Sequence, residues 1–309
     1  MKSYCVIGSL NMDMVVRVKR FPRPGETLTG TGFQMVPGGK GANQAVALSR
    51  LGVPVTMFGK VGNDSFGEAY LAILKKEKVG AEAVATEVGT PTGIAVIEID
   101  KSGENHIIVV PGANGRVSPG DIAARLPLLP EADIYLLQLE IPLESAAYVL
   151  RNRTAGKIYI LDPAPAAALP EDMYACVDYL TPNIRELEIL SGRPVRNREE
   201  LAAAAAALVR RGASVVIVKA GENGAYIVSE GGCEHIPACP VSPVDTTGAG
   251  DTFNAAFAVA LGKGFSLEKS VQFANAAAAL STRERGAQAG MPDEESVWVF
   301  LGTVSPLPN

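Results

Sequence analysis

The sequence lacks long apolar runs and concentrated positive charge. No segment approaches the roughly 18 consecutive apolar residues of a membrane-spanning helix, and the first apolar run, residues 4–7, is too short for a signal peptide. The 28 Lys and Arg are outnumbered by 33 Asp and Glu, for a net charge of −5, and the basic residues cluster only briefly around Lys75. These features argue against nucleic acid or a membrane as a partner.

Cysteine and histidine are also scarce. The four cysteines are scattered and include no C-x-x-C pair, which favours a reducing compartment and predicts a cytoplasmic protein. Cys233, His235 and Cys239 match no zinc-ligand spacing, so we interpret them as part of a strand and turn. Two histidines and no G-x-S-x-G motif leave a serine-hydrolase triad with little support.

Two common nucleotide-binding motifs are missing. Lys40 follows glycines but is followed by Gly41, so "GGKG" is not a Walker A loop. No G-x-G-x-x-G follows the first apolar run, which disfavours a Rossmann dehydrogenase. A nucleotide site in this chain must therefore be of another kind.

Short apolar runs alternate with helix-like segments along the 309 residues. The runs at 4–8, 133–138, 157–162, 178–181 and 214–221 each end in a glycine or a polar residue, and 41–51, 65–78 and 199–211 have helical character. This alternation predicts an α/β fold with a doubly wound, mostly parallel sheet. Ligands of such sheets bind beyond the carboxyl ends of the strands.

Two regions interrupt this alternation. Residues 12–19 and 27–36 show partial apolar–polar alternation, and 93–99 and 106–110 flank a turn that predicts a hairpin. We expect a small, half-exposed β-sheet, comprising 12–36 and 92–111, that acts as a lid or as a dimer contact. The main α/β domain would then comprise 1–11, 37–91 and 112–309.

The most informative segment is "PVDTTGAGDTFNAAFAVAL", residues 243–261. Gly248 and Gly250 precede helical spacing, and a glycine turn that opens a helix offers free N–H groups to an anion. Asp251 lies in the first helical turn, where the helix dipole favours its charged form and leaves it available as a base. The alternative is that "GAGD" is only a helix cap.

A second segment, "GGKGANQAVALSRLG" at 38–52, combines close-spaced glycines with a helix start. Its glycines permit close backbone approach to a ligand, and Lys40 would contact a phosphate or simply be solvated. The alternative is a plain glycine-rich loop. Asn11, Asp13 and Glu140 follow apolar runs; each alone suits a turn, but together they suit a polyhydroxylated sugar.

The segment "TPNIRE", residues 181–186, has two interpretations of equal weight. Asn183 and Glu186 would share one face at a helix start, where Glu186 could hold a water of Mg²⁺. The same residues would also form a capping box.

Seven segments occur in the order found in the ribokinase-like carbohydrate kinase family, which this chain resembles over nearly its whole length. They are 8–13, 38–45, 92–114, 136–142, 180–186, 245–256 and 285–292. The resemblance implies a three-layer α/β fold with a β lid. It also implies ATP-dependent phosphorylation of a small sugar, with D-ribose, phosphorylated at its 5-hydroxyl, the expected acceptor.

The resemblance also implies roles for matching positions. Asp251 would be the base, and the amides of Gly248, Ala249 and Gly250 would form the anion hole. The sugar site would comprise Asn11, Asp13, Gly39, Lys40, Gly41, Asn43, Glu140 and Asp251. ATP would contact Asn183, Lys219, Ala220, Gly221, Glu222, Asn223, Gly224, Gly250 and Asn275. A monovalent cation, K⁺, would be held by Asp245, Thr247, Ser281, Glu284, Gly286 and Gly290, with Mg²⁺ accompanying ATP near Glu186.

Other acceptors stay open, namely deoxyribose, a ketohexose or a nucleoside, because pocket shape decides among them. A further alternative is a sugar-binding regulator without turnover, against which the retained Asp251 argues. The half-exposed lid predicts a homodimer.

Overall fold

The computed structural model describes residues 1–128 and 131–304, within which thirteen strands form two sheets. The strands are β1 (Tyr4–Ile7), β2 (Asn11–Arg17), β3 (Gly32–Gly38), β4 (Val55–Gly62), β5 (Gly80–Glu87), β6 (Gly93–Ile99), β7 (Asn105–Val110), β8 (Ile134–Leu137), β9 (Ile158–Leu161), β10 (Tyr179–Leu180), β11 (Val215–Lys219), β12 (Ala225–Ser229) and β13 (Gly232–Ile236). Nine form the large sheet in the order β13-β12-β11-β10-β9-β8-β1-β4-β5. All neighbours pair in parallel except β11 with β12 and β12 with β13 at one edge.

Helices cover both faces of this sheet. They are α1 (Lys40–Arg50), α2 (Ser65–Lys76), α3 (Pro119–Arg125), α4 (Leu143–Arg151), α5 (Glu171–Tyr174), α6 (Ile184–Ser191), α7 (Arg198–Arg210), α8 (Ala249–Gly262), α9 (Leu267–Ser281) and α10 (Glu294–Val304). Val6 packs in one core with α1, α2, α8, α9 and α10, whereas its neighbour Ile7 packs in a second core with α3 to α7. This division follows from the alternation of side chains along a strand, and it confirms the three-layer α/β fold.

The second sheet has four strands in the order β3-β2-β6-β7. The central strands β2 and β6 pair in parallel, and each edge strand pairs antiparallel to its neighbour. Every residue of β7 is exposed, whereas β2 begins with three buried residues. The sheet is therefore half-exposed, as its sequence pattern predicts.

The predicted elements are found with small shifts at their ends. The hairpin expected at 93–99 and 106–110 is β6 and β7, and the helix expected from 41 begins at Lys40. The alternating segment expected from 27 forms a strand only from Gly32. Among the described residues no helix is long and apolar enough to cross a membrane, and the four cysteines form no disulfide.

Candidate active site

The N-terminus of α8 depends on a glycine. Gly248 is the N-cap residue with φ of 76°, a conformation that residues with a Cβ rarely adopt. A Cβ there would also lie 2.7 Å from the Ala287 carbonyl oxygen. The Ala249 N–H donates to the Thr246 carbonyl at 3.2 Å. Of the three N–H groups predicted to form an anion hole, that of Ala249 therefore already has a partner.

Asp251, in the first turn of α8, is 5% exposed. Its Oδ2 accepts a hydrogen bond from Asn43 Nδ2 at 2.9 Å, and its Oδ1 accepts one from Gln44 Nε2 at 3.3 Å. Burial raises the pKa of Asp251 to about 6, with Asp162 and Glu140 also raising it and Lys40 and Asn43 opposing them. Burial therefore opposes the charged form of this carboxyl, which the helix dipole favours.

The glycine-rich segment brings Lys40 and Asn43 to Asp251. Gly39 has φ of 86°, and a Cβ on it would lie 2.6 Å from the Asn11 nitrogen, so the segment passes directly against β2. Glu140 Oε2 accepts from the Lys40 backbone N–H at 3.0 Å and from Ser9 Oγ at 2.6 Å. Glu140 therefore fixes the start of α1.

Lys40 is the cation of this cluster. Burial lowers the pKa of its ammonium group, but the charges of Asp251, Asp162, Glu140 and Glu186 raise it above its ordinary value. Lys40 is therefore charged and offsets part of the negative charge around it.

Asn11 and Asp13, both on β2, complete the polar cluster. Asn11 Oδ1 accepts from Asn114 Nδ2 at 2.8 Å. Asp13 Oδ1 is buried and has no hydrogen-bond partner among the described residues. Burial raises the pKa of Asp13 to about 7, and the charges of Glu140 and Asp251 raise it further. A buried carboxylate oxygen without a donor is suited to a hydroxyl group of a ligand.

A cavity of about 410 Å³ lies on the other side of the α8 N-terminus. It is lined by several predicted ATP contacts: Lys219, Gly221, Glu222, Gly224, Gly250 and Asn275. Apolar residues that the sequence analysis did not identify also line it, among them Ala238, Val241, Phe253 and Ala278. Its volume is within the usual range for small-molecule sites.

Three predicted ATP contacts lie outside the lining of this cavity. Ala220 is buried, Asn223 is exposed, and Asn183 is the N-cap of α6. Asn183 and Glu186 form the capping box that the sequence allowed, with Glu186 Oε2 accepting from the Asn183 N–H at 2.7 Å. Burial, together with the charge of Asp162, raises the pKa of Glu186 although Lys219 lowers it. Glu186 therefore shares the electrostatic environment of Asp162 and Lys219.

The residues expected to hold a monovalent cation lie around one loop. Asp245 accepts hydrogen bonds from the Thr247 N–H at 2.9 Å and the Gly286 N–H at 2.9 Å. Burial raises the pKa of Asp245, but these bonds and that from the Thr247 hydroxyl lower it below its ordinary value. A Cβ on Gly290 would lie 2.2 Å from the Ser281 carbonyl oxygen, so these two residues also meet.

Glu284, the remaining residue of the predicted monovalent-cation site, is exposed. Within the part of the chain that the structure describes, no three His, Cys, Asp or Glu side chains are grouped to hold a metal ion. Any cation at the 245–290 loop would therefore depend largely on backbone oxygens.

Several polar residues of the site were not predicted from the sequence. Gln44, Asp162 and Gln138 form a buried network behind Asp251, and Gln288 Nε2 donates to Asn43 Oδ1 at 3.0 Å. Two signals could have found them: Gln44 follows Asn43 in the glycine-rich segment, and Asp162 ends an apolar run at the predicted ligand-binding edge.

Known proteins are similar to this chain over nearly its whole length. Residues 1–294 match the model of the pfkB family carbohydrate kinases. The chain is 43% identical to a ribokinase of Bacillus subtilis, over 97% of this chain and 100% of that protein. It is 36% identical to a deoxyribokinase of Salmonella typhimurium, over 96% and 97% of the two chains.

Solved structures agree with these relatives. A ribokinase from Thermotoga maritima superposes with a TM-score of 0.90 at 38% identity, covering 97% of this chain and 99% of that one. An Arabidopsis thaliana ribokinase, solved with ribose and ATP, has a TM-score of 0.86 at 36% identity and covers 97% and 98%. The fold and enzyme class expected from the sequence are thereby confirmed, and this chain belongs to the pfkB family of carbohydrate kinases.

Proposed function

We propose that this protein transfers the γ-phosphoryl group of ATP to the 5-hydroxyl of D-ribose, giving D-ribose 5-phosphate and ADP. The observation that carries the proposal is the position of Asp251. Its buried carboxylate lies where the polar cluster of Asn11, Asp13, Lys40 and Asn43 and the apolar-lined cavity meet. The ribokinase relatives, one of them bound to ribose and ATP, support ribose as the acceptor.

The transfer needs a base, an anion site and little else from the protein. Asp251 accepts the proton of the sugar 5-hydroxyl while the hydroxyl oxygen forms a bond to the γ-phosphorus. The bond from that phosphorus to the β,γ-bridging oxygen breaks, and ADP leaves with the electron pair. Free N–H groups at the first turn of α8, beside Gly248 and Gly250, stabilise the negative charge of the phosphoryl oxygens.

The two substrates enter from opposite sides of the α8 N-terminus. ATP occupies the cavity that Lys219, Gly224 and Asn275 line, with its phosphates towards Gly250. The sugar lies against Asp13, whose unpartnered oxygen accepts a hydrogen bond from a sugar hydroxyl, and against Asn43, Lys40 and the backbone of Gly39 and Gly41. The four-stranded sheet, which carries Asn11 and Asp13 on β2, acts as the lid that excludes water.

Metal ions would act on the nucleotide side. Mg²⁺ bound with ATP would neutralise phosphate charge, and the buried carboxylate of Glu186 suits a water of its hydration shell. K⁺ would be held at the loop where Asp245 meets Gly286 and Ser281 meets Gly290, because the Asp245 carboxylate and the Ser281 carbonyl oxygen lie there. A cytoplasmic location stays a prediction, which rests on the scattered cysteines.

The exposed lid supports a homodimer. Phe33 and Met35 on β3 and Ile108 on β7 are all more than half exposed, at 60%, 55% and 65%, and the strand register places them on the same face of the sheet. An exposed apolar sheet surface of this kind marks an interaction site. A second copy of the chain would cover it by pairing lid against lid.

A deoxyribose acceptor is the second candidate. It is favoured by the Salmonella deoxyribokinase, which this chain resembles along almost its whole length. The mechanism would be unchanged, because the 5-hydroxyl is present in both sugars.

We expect the rate of ADP release to be highest with ribose when ribose, deoxyribose, fructose and adenosine are compared with MgATP. Asp251→Asn should lower kcat by about 100-fold or more, because it removes the base, while its thermal unfolding stays close to that of the unaltered protein. A higher rate with another acceptor would keep the mechanism and change the substrate. An unchanged kcat in Asp251→Asn would show that Asp251 is not the catalytic base.

The pH dependence of kcat should report Asp251. With both substrates saturating, kcat should fall about tenfold for each pH unit below about 6, because the pKa of Asp251 is raised to about 6 and the protonated carboxyl accepts no proton. Lys40→Met should shift this limb to higher pH, since Lys40 lowers that pKa. A limb that stays in place in Lys40→Met would contradict this electrostatic account.

Turnover in potassium salts should exceed turnover in tetramethylammonium salts at equal ionic strength. Asp245→Asn should diminish this difference, because the charge that anchors the loop to the Thr247 and Gly286 amides is lost. Equal rates in the two salts would argue against a monovalent-cation site.

Light scattering during size-exclusion chromatography should give about twice the 32.3 kDa chain mass at micromolar concentration. Ile108→Lys should give the monomer mass, because an unpaired charge cannot be buried in the interface without large cost. Val299→Lys, at a residue 63% exposed on α10, is the matched control and should stay dimeric. A monomer mass for the unaltered chain would exclude the lid dimer.

A further inference from the structure

A buried hydrogen-bonded chain runs from Asp251 to Lys219. The Gln44 side-chain amide donates to Asp251 Oδ1 at 3.3 Å and to Asp162 Oδ2 at 3.2 Å. The other oxygen of Asp162 accepts from Lys219 Nζ at 2.8 Å. Gln44 is 0% exposed and Asp162 is 2% exposed, so water does not compete for these bonds.

The orientation of the Gln44 amide is determined from behind. Gln138 Nε2 donates to Gln44 Oε1 at 2.6 Å, which directs the Gln44 NH₂ group towards the two carboxylates. Only the nitrogen of an amide can donate to a carboxylate. The Gln44 amide therefore donates to both carboxylates and fixes the distance between Asp162 and Asp251.

Lys219 distinguishes the two carboxylates. It forms its ion pair with Asp162, so Asp162 has a direct cation partner, whereas Asp251 has amide donors and a more distant Lys40. The charge of Asp162 raises the pKa of Asp251, as Glu140 does, and Asp251 in turn raises that of Asp13.

Lys219 also reaches the nucleotide side. A Cβ on Gly250 would lie 3.5 Å from Lys219 Nζ, and Lys219 lines the 410 Å³ cavity. Its ammonium group is therefore at the first turn of α8, beside the N–H groups that are proposed above to bind the phosphoryl oxygens. The same cation that neutralises Asp162 is adjacent to the place of the transferred phosphoryl group.

We propose that Asp162 and Gln44 are positioning residues, which hold Lys219 beside the transferred phosphoryl group and couple it to the base Asp251. The proposal rests on the kinase function proposed above. Asp162 touches neither substrate and acts through Lys219 and Gln44, and Lys219 contacts the terminal phosphate of ATP. The base and the phosphate-binding cation thus form one unit across the α8 N-terminus.

The first test is Asp162→Asn. We expect kcat to fall by about 10- to 100-fold, which is typical of misplaced catalytic groups, while KM for ribose changes little because Asp162 is not in the sugar cluster. The acid limb of the kcat profile should move to lower pH, because a charge that raises the pKa of Asp251 is removed. A merely structural role for Asp162 would lower the folded fraction without moving this limb.

The second test is Lys219→Met, with Lys219→Arg as the conservative variant. Calorimetric titration with a non-hydrolysable ATP analogue and with ADP should show that the preference for the triphosphate decreases in Lys219→Met and is retained in Lys219→Arg. The double variant Asp162→Asn with Lys219→Met should lose no more kcat than the worse single variant, since the two residues act as a unit.

Lys60→Met is the matched control for loss of a buried ion pair. Lys60 has a side chain 9% exposed, against 14% for Lys219, and pairs with Glu87 and Asp121 at 2.9 Å each. This variant should lose stability in thermal unfolding yet keep the kcat of its folded fraction, the pH limb and the triphosphate preference.

The outcomes separate this proposal from the proposed function. If the unaltered protein phosphorylates a sugar but Asp162→Asn keeps its kcat and pH limb, the positioning role is overturned and the kinase function stands. If the unaltered protein phosphorylates no acceptor, the proposed function fails. The titrations then decide the inference, and an equal triphosphate preference in Lys219→Met and the unaltered protein overturns it.

Discussion

Asp251 is a carboxylate placed almost entirely out of water, and the arrangement of the surrounding site follows from that burial. A buried carboxylate needs hydrogen-bond donors and positive charge, or it becomes protonated. Asn43 and Gln44 supply the donors and Lys40 supplies charge. Nearby Asp162 and Glu140 oppose them, so the pKa is raised to about 6. The carboxylate is thereby kept basic enough to accept a proton and still ionised near neutral pH.

The N-terminus of α8 is the boundary between the two halves of the site. On one side lies a polar cluster from β2, α1 and the segment after β8, and on the other a largely apolar cavity. Gly248 makes this boundary possible, because its positive φ and close contact with Ala287 bring the helix start and the 285–291 segment together. A polyhydroxylated sugar and a nucleotide base need these two different environments.

Much of the fold was predictable because its strands are short, apolar and bounded by turn residues. The parallel sheet, the β6–β7 hairpin and α1, α2 and α7 were all expected close to their observed ends. The order of the strands in the sheet could not be predicted from the sequence. The pairing of β1 with both β4 and β8, for example, joins segments that are far apart in the chain. For the same reason the sequence did not predict that β3 begins only at Gly32. Its pairing with β2 ends at Gly32, opposite Arg17.

The sequence alone determined the chemistry available: the glycine turn, Asp251 at a helix start, the amides and carboxylates, and the resemblance to carbohydrate kinases. Tertiary structure decided how those groups act on each other. Asp162 and Lys219 are 57 residues apart along the chain and meet at 2.8 Å only because β9 and β11 end at the same edge of the sheet. The raised pKa of Asp251 could not be predicted from the sequence either. Desolvation and the charges of residues distant in the chain depend on three-dimensional packing, which local sequence does not specify.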